Sequence, residues 1–320
     1  MLFCVLNDPR FPCPRTHLSH VRKLGEGFVQ RGYHYRELRR AAEIANLSAC
    51  DLLYVSNHFS VDFLHRRFAC ILAKRLFSEL RKTSARLILW NFHTLADWDC
   101  LRRVEDRTMH LGEDLWPESV AAEARLRGFR EEFGVLALQY ASPLHPQHAT
   151  FQDLPRCWDF NFVGNGYKRE LTRHCADRYR SLIRNTPPAI SEPLRVNSCR
   201  LAEVNLVFHS DANIRKGVVV ERFAEALSLG GILFHDHPRI APEYAGVESV
   251  IQVNTVDDID REFQRVMALS AQDRRHLREK SFHAWLRSGL SYFDQAGRIL
   301  AAFDGLGNSS EARCAEVHLR

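Results

Sequence analysis

The sequence has no cysteine spacing that indicates a metal site or a set of disulfides. Its nine cysteines are an odd number, and no two of them form a C-x-x-C pair or a zinc-type spacing with histidine. Because several of them lie inside apolar runs, we expect buried free thiols in a reducing compartment. We therefore expect no metal site.

Long apolar runs are also missing. No window approaches ~18 uninterrupted apolar residues, the length that spans a membrane. The apolar start Leu2–Leu6 lacks a basic region and is too short for a signal peptide. We expect a cytoplasmic protein, with any membrane contact peripheral and at the inner face. The predicted helix Val61–Lys82 has basic residues off its apolar face for such a contact, although a solvated face explains them as well.

A concentrated positive charge is absent too. The net charge of +5 is spread over 320 residues without a basic stripe, so we expect no nucleic acid partner. The same mild positive charge suits a small anionic ligand. Hydrophobic residues make up 45% of the chain, which is enough to fill the cores of two domains.

What is present is an alternation of helix-period segments and short apolar runs. Helices are predicted at Thr16–Gln30, Glu118–Phe133, Lys168–Ile183, Val256–Ala268 and Ala271–Leu286. Strands are predicted at Leu2–Leu6, Tyr33–Glu37, Asp51–Ser56, Arg86–Asn91, Val135–Tyr140, Phe160–Val163, Val204–Phe208, Ile232–Phe234 and Ser249–Val253. This alternation favours an open α/β architecture with parallel strands.

A proline-rich stretch divides this pattern into two α/β halves. Ala141–Asp159 contains three prolines and no periodicity, which is typical of a linker. We predict an N-terminal domain over residues 1–150 and a C-terminal domain over 151–288. Residues 289–304 form a closing helix expected to pack back toward the N-terminal domain, and 305–320 form a frayed tail.

The most informative stretch is Arg215–Pro238. It begins as a basic, glycine-containing turn, continues as a helix, stops at Gly230-Gly231 and ends in a short buried strand. A turn at a helix start presents free backbone N–H groups, which suit a phosphate or diphosphate. The backbone amides of Gly217, Val218 and Val219 would bind the diphosphate, together with basic side chains from Arg215, Lys216 or Arg222.

A second turn, Gly164-Asn165-Gly166, follows a predicted strand directly. It resembles the start of a dinucleotide-binding motif, but Arg169 stands where the third glycine belongs and no acidic residue follows at the ribose position. A plain strand-to-helix turn is one alternative. The other is a turn that lets the backbone approach a ligand, with Lys168 beside it.

Two histidines, His235 and His237, flank Asp236. Alternate residues on an extended segment point to opposite faces, so the two rings would not converge on one metal ion. We interpret them as residues of a loop over a site, or of the surface.

Three groups of residues in the C-terminal half match a known pattern. They are Phe162-Val-Gly-Asn-Gly166, the series Arg222, Glu225-Ala-Leu227, Gly230-Gly231 and Ile232-Leu-Phe234, and the tail Leu290-Ser-Tyr-Phe-Asp294 with Arg298. On these residues, roughly Asp159–Phe303 resembles the CgeB-like spore-protein glycosyltransferases, which are of the GT-B type. The N-terminal half matches only in its general α/β pattern.

The resemblance implies a GT-B fold, in which two Rossmann-like domains with parallel sheets face each other across a cleft. It also implies a glycosyltransferase that takes a nucleoside-diphosphate sugar as donor and a carbohydrate or lipid-linked hydroxyl as acceptor. We expect no metal to be needed, because a helix N-terminus with Arg or Lys can stabilise the diphosphate leaving group. Glu225 would bind the ribose, and Gly164, Asn165, Gly166 and Lys168 would line the floor of the cleft. On the acceptor side, Asp97 or His93 would be the general base of an inverting reaction.

Several alternatives stay open. The donor nucleotide is UDP, GDP or dTDP, and the stereochemistry is undecided because Gly217 stands where many retaining GT-B enzymes have an acid. A non-catalytic two-domain protein that binds a nucleotide or sugar is the main alternative function. A nucleotide-dependent oxidoreductase is disfavoured by the missing third glycine.

Overall fold

The structure is a computed structural model. It describes residues 1–8, 15–56, 78–90, 108–112, 136–137, 141–164, 168–185, 192–211, 214, 219–238, 240, 244 and 246–303. The chain divides into two compact units: unit 1 is Met1–Leu138 with Tyr292–Arg320, and unit 2 is Gln139–Ser291. No helix in these described ranges is both long enough and apolar enough to cross a membrane.

Unit 1 contains a parallel sheet. Its described strands are β1 (Leu2–Leu6), β2 (His34–Leu38), β3 (Leu52–Ser56), β4 (Arg86–Trp90), β5 (Thr108–Gly112) and β6 (Leu136–Ala137). They pair in the order β2-β1-β3-β4-β5-β6, and every pairing is parallel. Helix α1 (Arg15–Val29) and a 3-10 helix (Ala41–Asn46) connect the first strands, and residues 78–80 are helical.

The core of unit 1 forms where α1 packs on β1. Leu24 and Phe28 of α1 are buried, and the ring of Phe28 stacks on Phe3 at 4.3 Å between centroids. A closing helix (292–303) belongs to the same unit. Arg31 contacts this helix: its Nε donates to the carbonyl of Phe293 at 2.8 Å, and its guanidinium lies 3.8 Å from the centre of that ring.

Unit 2 contains a second parallel sheet. Its strands are β7 (Trp158–Gly164), β8 (Ser181–Asn185), β9 (Ala202–Val207), β10 (Ile232–His235) and β11 (Val250–Gln252). Its helices are α2 (Arg169–Arg178), α3 (Glu192–Arg200), α4 (Glu221–Ser228), α5 (Val256–Met267) and α6 (Ala271–Ser288). The strand order is β11-β10-β9-β7-β8, with every pairing parallel.

This strand order contains a reversal beside β7. The chain first adds β8 on one side of β7 and then returns to add β9 on the other side. In open parallel sheets, ligands bind outside the carboxyl ends of the strands at such a reversal, where successive connections diverge and leave a crevice. The carboxyl ends of β7 and β9 are therefore the place to search for a site in unit 2.

Both faces of the unit 2 sheet are covered, as a parallel sheet requires. Leu206 and Phe234 point into a cluster that includes α2 and α5, whereas Val207 and Leu233 point into a second cluster with α4 and α6. The short continuous apolar runs of the sequence are explained by this burial on both faces.

Two stretches of chain at the ends of unit 2 lie side by side. The amide of Ser142 donates to the carbonyl of Leu290 at 2.9 Å, and Ser142 forms a parallel bridge with Ser291. The hydroxyl of Ser142 also donates to that of Ser228, the last residue of α4, at 2.7 Å. Ser142, near the start of unit 2, is thus fixed next to Ser291 at its end.

The predicted helix Lys168–Ile183 is wrong in its second half. Helix α2 ends at Arg178, and Ser181–Asn185 is strand β8. Leu182 and Ile183 continue the helical apolar period, but they pair with β7 instead. At the start of this pairing the amide of Asp159 donates to the carbonyl of Arg180, and the amide of Arg180 donates to the side-chain carboxylate of Asp159. Strand β5 and helix α3 were not predicted, because neither has a clear apolar period.

Candidate functional site

Gly164 and Arg222 meet at the carboxyl end of β7. Gly164 is the last residue of β7, and Arg222 lies in the first turn of α4. A Cβ atom at position 164 would lie 2.7 Å from the guanidinium carbon of Arg222 and would also collide with its Nη1. Any residue with a Cβ atom would force the guanidinium to move from its present position. The structure therefore brings together two residues that the sequence analysis assigned separately to one site.

The guanidinium of Arg222 is positioned by the strand that it approaches. Its Nη1 donates to the carbonyl of Val163, and its guanidinium carbon lies 5.6 Å from the centre of the Phe162 ring. The side chain is half-buried rather than extended into solvent. A positive charge is therefore fixed at the reversal of the sheet.

Helix α4 begins beside this charge without a side-chain cap. Its N-cap is Val220, which has an extended backbone and an apolar side chain that accepts no hydrogen bond. The first amides of a helix without a cap need other partners, and the helix dipole favours an anion there. Val219, the residue before the N-cap, packs partly buried against the second core cluster of unit 2.

Lys168 occupies an unusual backbone conformation at the start of α2. It is the N-cap residue, and its φ of 54° and ψ of 54° are left-handed, the only such non-glycine residue in the described part of the chain. Its Nζ lies 3.6 Å from the carboxylate of Asp211, which follows β9. Lys168 is thus directed from the end of β7 toward the end of β9.

Glu225 is buried inside unit 2. The residue is 1% exposed, and all residues from Phe223 to Ser228 are buried with it. Gly230, with φ of +70°, ends the helix as the sequence predicted, and the next residues enter β10. A carboxylate at such depth requires hydrogen-bond donors or a positive partner, because burial without them is strongly unfavourable.

A buried cluster of histidines with an aspartate lies at the ends of β9 and β10. His209 follows β9, and His235, Asp236 and His237 end β10 or follow it; these four residues are between 0% and 5% exposed. The rings of His209 and His237 are 4.9 Å apart. The interpretation of His235 and His237 as surface residues is therefore wrong, because both are buried; His235 ends β10, and His237 lies in the segment that follows it.

Burial keeps one of these histidines neutral. His235 has its pKa lowered from 6.5 to about 4, first by desolvation and then by the neighbouring His209. Among the described residues, Nδ1 of His235 and Oδ2 of Asp236 have no hydrogen-bond partner. The sequence signal that could have identified this cluster is its position, since each member ends or follows a short buried run.

The other predicted site residues are not described by the structure. Those outside the described ranges are His93, Asp97, Asn165, Gly166, Arg215, Lys216, Gly217 and Val218. His93 and Asp97 follow β4 in sequence, and Gly217 and Val218 precede the N-cap of α4. Their assigned roles stay predictions.

The described cysteines and acidic groups form no metal centre. Within the described ranges, no group of three or more His, Cys, Asp or Glu side chains could bind a metal ion. Cys4 and Cys175 are free and buried, and desolvation raises the pKa of their thiols to about 11 and about 12. Cys50 and Cys157 are also free but exposed, so the expectation of buried thiols applies to only some of them.

Comparison with known proteins identifies the fold. No protein-family model matches the chain, and no curated protein matches it by sequence. Among solved structures, a trehalose-6-phosphate synthase matches with a TM-score of 0.52 and 10% identity, over 95% of this chain and 99% of its own. The DNA-modifying enzyme β-glucosyltransferase, studied with and without uridine diphosphoglucose, matches with a TM-score of 0.51 and 8% identity, over 95% and 100%. Sucrose-phosphate synthase from Thermosynechococcus elongatus matches with a TM-score of 0.50 and 10% identity, over 97% of this chain and 100% of its own.

These matches extend over almost the whole of this chain and of each neighbour. All three neighbours are glycosyltransferases of the GT-B type, and the chain has their two parallel-sheet α/β domains. The predicted GT-B fold is confirmed. Because the identities are between 8% and 10%, the likeness concerns the fold and not the residues of the site.

Proposed function

We propose that the chain is a glycosyltransferase that moves a sugar from a nucleoside-diphosphate sugar to a hydroxyl acceptor, with the donor bound by unit 2. One observation carries the proposal: the guanidinium of Arg222 lies against Gly164 at the sheet reversal, beside the uncapped start of α4. A fixed positive charge next to a helix N-terminus without a side-chain cap is an arrangement suited to a diphosphate. The GT-B fold supports it, because the solved neighbours are glycosyltransferases.

The proposed chemistry follows from these groups. When the bond between the sugar and the diphosphate breaks, negative charge develops on the leaving diphosphate. Arg222 and the amides at the start of α4 would stabilise this charge, since both are fixed in place before the reaction. Lys168 and the turn Arg215–Val218 would add further positive charge and backbone N–H groups. We propose that the reaction therefore needs no metal ion.

Glu225 is assigned to the ribose of the donor. It lies in α4 one turn beyond Glu221 and is buried, whereas Glu221 is only half-buried. A buried carboxylate can accept hydrogen bonds from the two ribose hydroxyls of a nucleotide whose phosphates bind at the start of the same helix. Each hydrogen bond to a charged acceptor contributes about 1.5–3 kcal/mol.

The finer assignments are also proposals. We place the chain near the CgeB-like glycosyltransferases because of the series from Arg222 to Phe234. The acceptor, a carbohydrate or lipid-linked glycan, is assigned to unit 1 with His93 or Asp97 as general base. We further propose a cytoplasmic location, and a role in polysaccharide biosynthesis follows from such an acceptor.

Donor turnover tests the proposal. Purified protein is incubated with UDP-, GDP- and dTDP-sugars, and the released nucleotide is measured with and without EDTA. We expect one donor class to be hydrolysed slowly without acceptor, and EDTA to leave the rate unchanged. Glu225→Gln should weaken donor binding by about 10- to 100-fold, because the charged acceptor is lost.

Glu221→Gln is the matched control on the same helix. It removes one carboxylate near the start of α4 and should bind the donor at least as well as the wild type. Binding of a nucleotide without turnover, also in the presence of candidate acceptors, would favour the non-catalytic alternative. Neither binding nor turnover of any donor would contradict the proposal.

A further inference from the structure

The carboxylate of Asp236 connects the ends of two neighbouring strands. Its Oδ1 accepts a hydrogen bond from the backbone amide of His209 at 3.0 Å and lies 2.8 Å from Nδ1 of the same residue. His209 follows β9 and Asp236 follows β10, so one oxygen contacts both the main chain and the ring of the adjacent strand. The ring of His209 is completely buried.

The second ring nitrogen of His209 contacts the start of α4. The backbone amide of Val220, the N-cap of that helix, donates to Nε2 at 3.3 Å. Because Nε2 accepts, it carries no proton, and Nδ1 must carry the proton that is donated to Asp236. The ring is thus a neutral bridge from the carboxylate of Asp236 to the first turn of α4.

This bridge supplies what the sequence of α4 lacks. The side chain of Val220 cannot cap the helix, so the position of its first turn depends on contacts from outside the helix. Two residues after Val220 comes Arg222, whose guanidinium must reach Gly164. An error in the position of the first turn would displace this guanidinium and the helix amides together.

We propose that His209 and Asp236 form a positioning pair for the donor site, fixing the first turn of α4 so that Arg222 and the helix amides are directed at the diphosphate before it binds. The inference rests on the proposed function, because it assigns the pair to the same donor site. His209 uses both ring nitrogens inside the protein and touches no reacting atom, so it acts through Val220. Preorganisation of this kind raises affinity because less ordering is needed when the ligand binds.

Two substitutions of His209 separate the bridge from simple packing. The amide of Gln reaches the position of Nε2 and can accept from Val220, whereas the shorter amide of Asn reaches the position of Nδ1 and can bond only to Asp236. Binding of UDP, GDP and dTDP is measured by calorimetry for the wild type, His209→Gln and His209→Asn. We expect the Gln variant to stay within about threefold of the wild-type Kd and the Asn variant to bind about tenfold more weakly.

A third variant removes the same hydrogen bond from its other end. Val220 has a φ of −68°, which proline adopts without strain, and Val220→Pro removes the donated N–H while leaving His209 unchanged. It should weaken binding as much as His209→Asn. Deuterium exchange of the amides in 221–225, measured without nucleotide, should be faster in both variants than in the wild type.

His174 and Asp260 provide the control. They form another His–Asp contact in unit 2, which is partly buried and has 2.7 Å between Nε2 and Oδ1, but they join α2 to α5. His174→Asn should leave nucleotide binding unchanged.

The outcomes separate the inference from the proposed function. If the wild type binds a nucleoside diphosphate and His209→Asn and Val220→Pro bind it with the same Kd, the inference alone would be overturned. The same holds if His209→Gln binds as weakly as His209→Asn. A wild type that binds no nucleoside diphosphate would overturn both.

Discussion

At the scale of single residues, the contact between Gly164 and Arg222 can be tested by adding one methyl group at position 164. Gly164→Ala places a Cβ where the guanidinium now lies, so the arginine must leave the carbonyl of Val163 and the ring of Phe162. We expect a loss of about 1 kcal/mol in the free energy of unfolding and a nucleotide affinity lower by about tenfold. Urea denaturation and calorimetry measure the two effects.

A double substitution shows whether the effect passes through Arg222. In an Arg222→Ala background the added methyl group meets no guanidinium, so Gly164→Ala should cost little further stability or affinity. If the two substitutions were additive, the methyl group would act on some other group and the contact would not define the site.

A second residue-scale prediction concerns acid stability. The pKa of His235 is about 4 in the folded protein, against 6.5 for the ordinary side chain, because its ring is buried beside His209. Between these two values the unfolded chain binds a proton that the folded chain does not. The contribution of the neutral His235 to the free energy of unfolding should therefore be fully present above pH 6.5. It should be lost as the pH falls toward 4, which lowers the free energy of unfolding by up to about 3 kcal/mol.

Urea denaturation of the wild type and of His235→Gln from pH 7.5 to 4.5 measures this contribution. Glutamine does not titrate, so the variant should lose less stability over the same range. Parallel pH profiles for the two proteins would show that His235 is not kept neutral by the fold.

At the scale of elements, the turn from β7 into α2 contains Lys168, whose backbone has the left-handed conformation. A non-glycine residue in this conformation costs roughly 1 kcal/mol relative to glycine. The ion pair of Lys168 with the exposed Asp211 is long, at 3.6 Å, and contributes little. We therefore expect Lys168→Gly to be more stable than Lys168→Ala by about 1 kcal/mol, as measured by urea denaturation. Equal stability of the two variants would mean that the turn changes conformation after substitution.

Nucleotide binding by the same two variants tests why a lysine occupies this position. Both lose the Nζ group, so both should bind nucleoside diphosphates more weakly than the wild type if this charge serves the donor. Backbone strain that is retained beside a sheet reversal is typical of functional turns.

The elements that the sequence predicted well are those with a strong local signal. Strand β1 was predicted with its exact bounds as Leu2–Leu6, and α5 begins at Val256 as predicted, after a Thr255 whose hydroxyl accepts from the amide of Asp258 at 3.1 Å. The end of α2 had no such signal. Its apolar period continues through Leu182 and Ile183, and only pairing with β7 decides that they form a strand.

At the scale of the whole molecule, alternation of strands and helices was enough to predict two parallel α/β layers, and the structure confirms them. The strand order could not be predicted, because it depends on which edge of the sheet each returning strand joins. The same difference between local patterns and strand order applies to the site. Gly164 and Arg222 were found from local motifs, but their contact, and the connection of His209 to both Asp236 and Val220, exist only after the strand ends are brought together.

The side-by-side arrangement of Ser142 with Leu290 and Ser291 has a consequence for how the chain can be rearranged. In terms of connectivity, unit 2 is a continuous insertion between two separate segments of unit 1. Its two ends meet, as they do in domains that tolerate circular permutation or transfer between hosts. One pair of cuts would release unit 2 as a single segment with adjoining ends, whereas unit 1 would have to be rebuilt from two pieces.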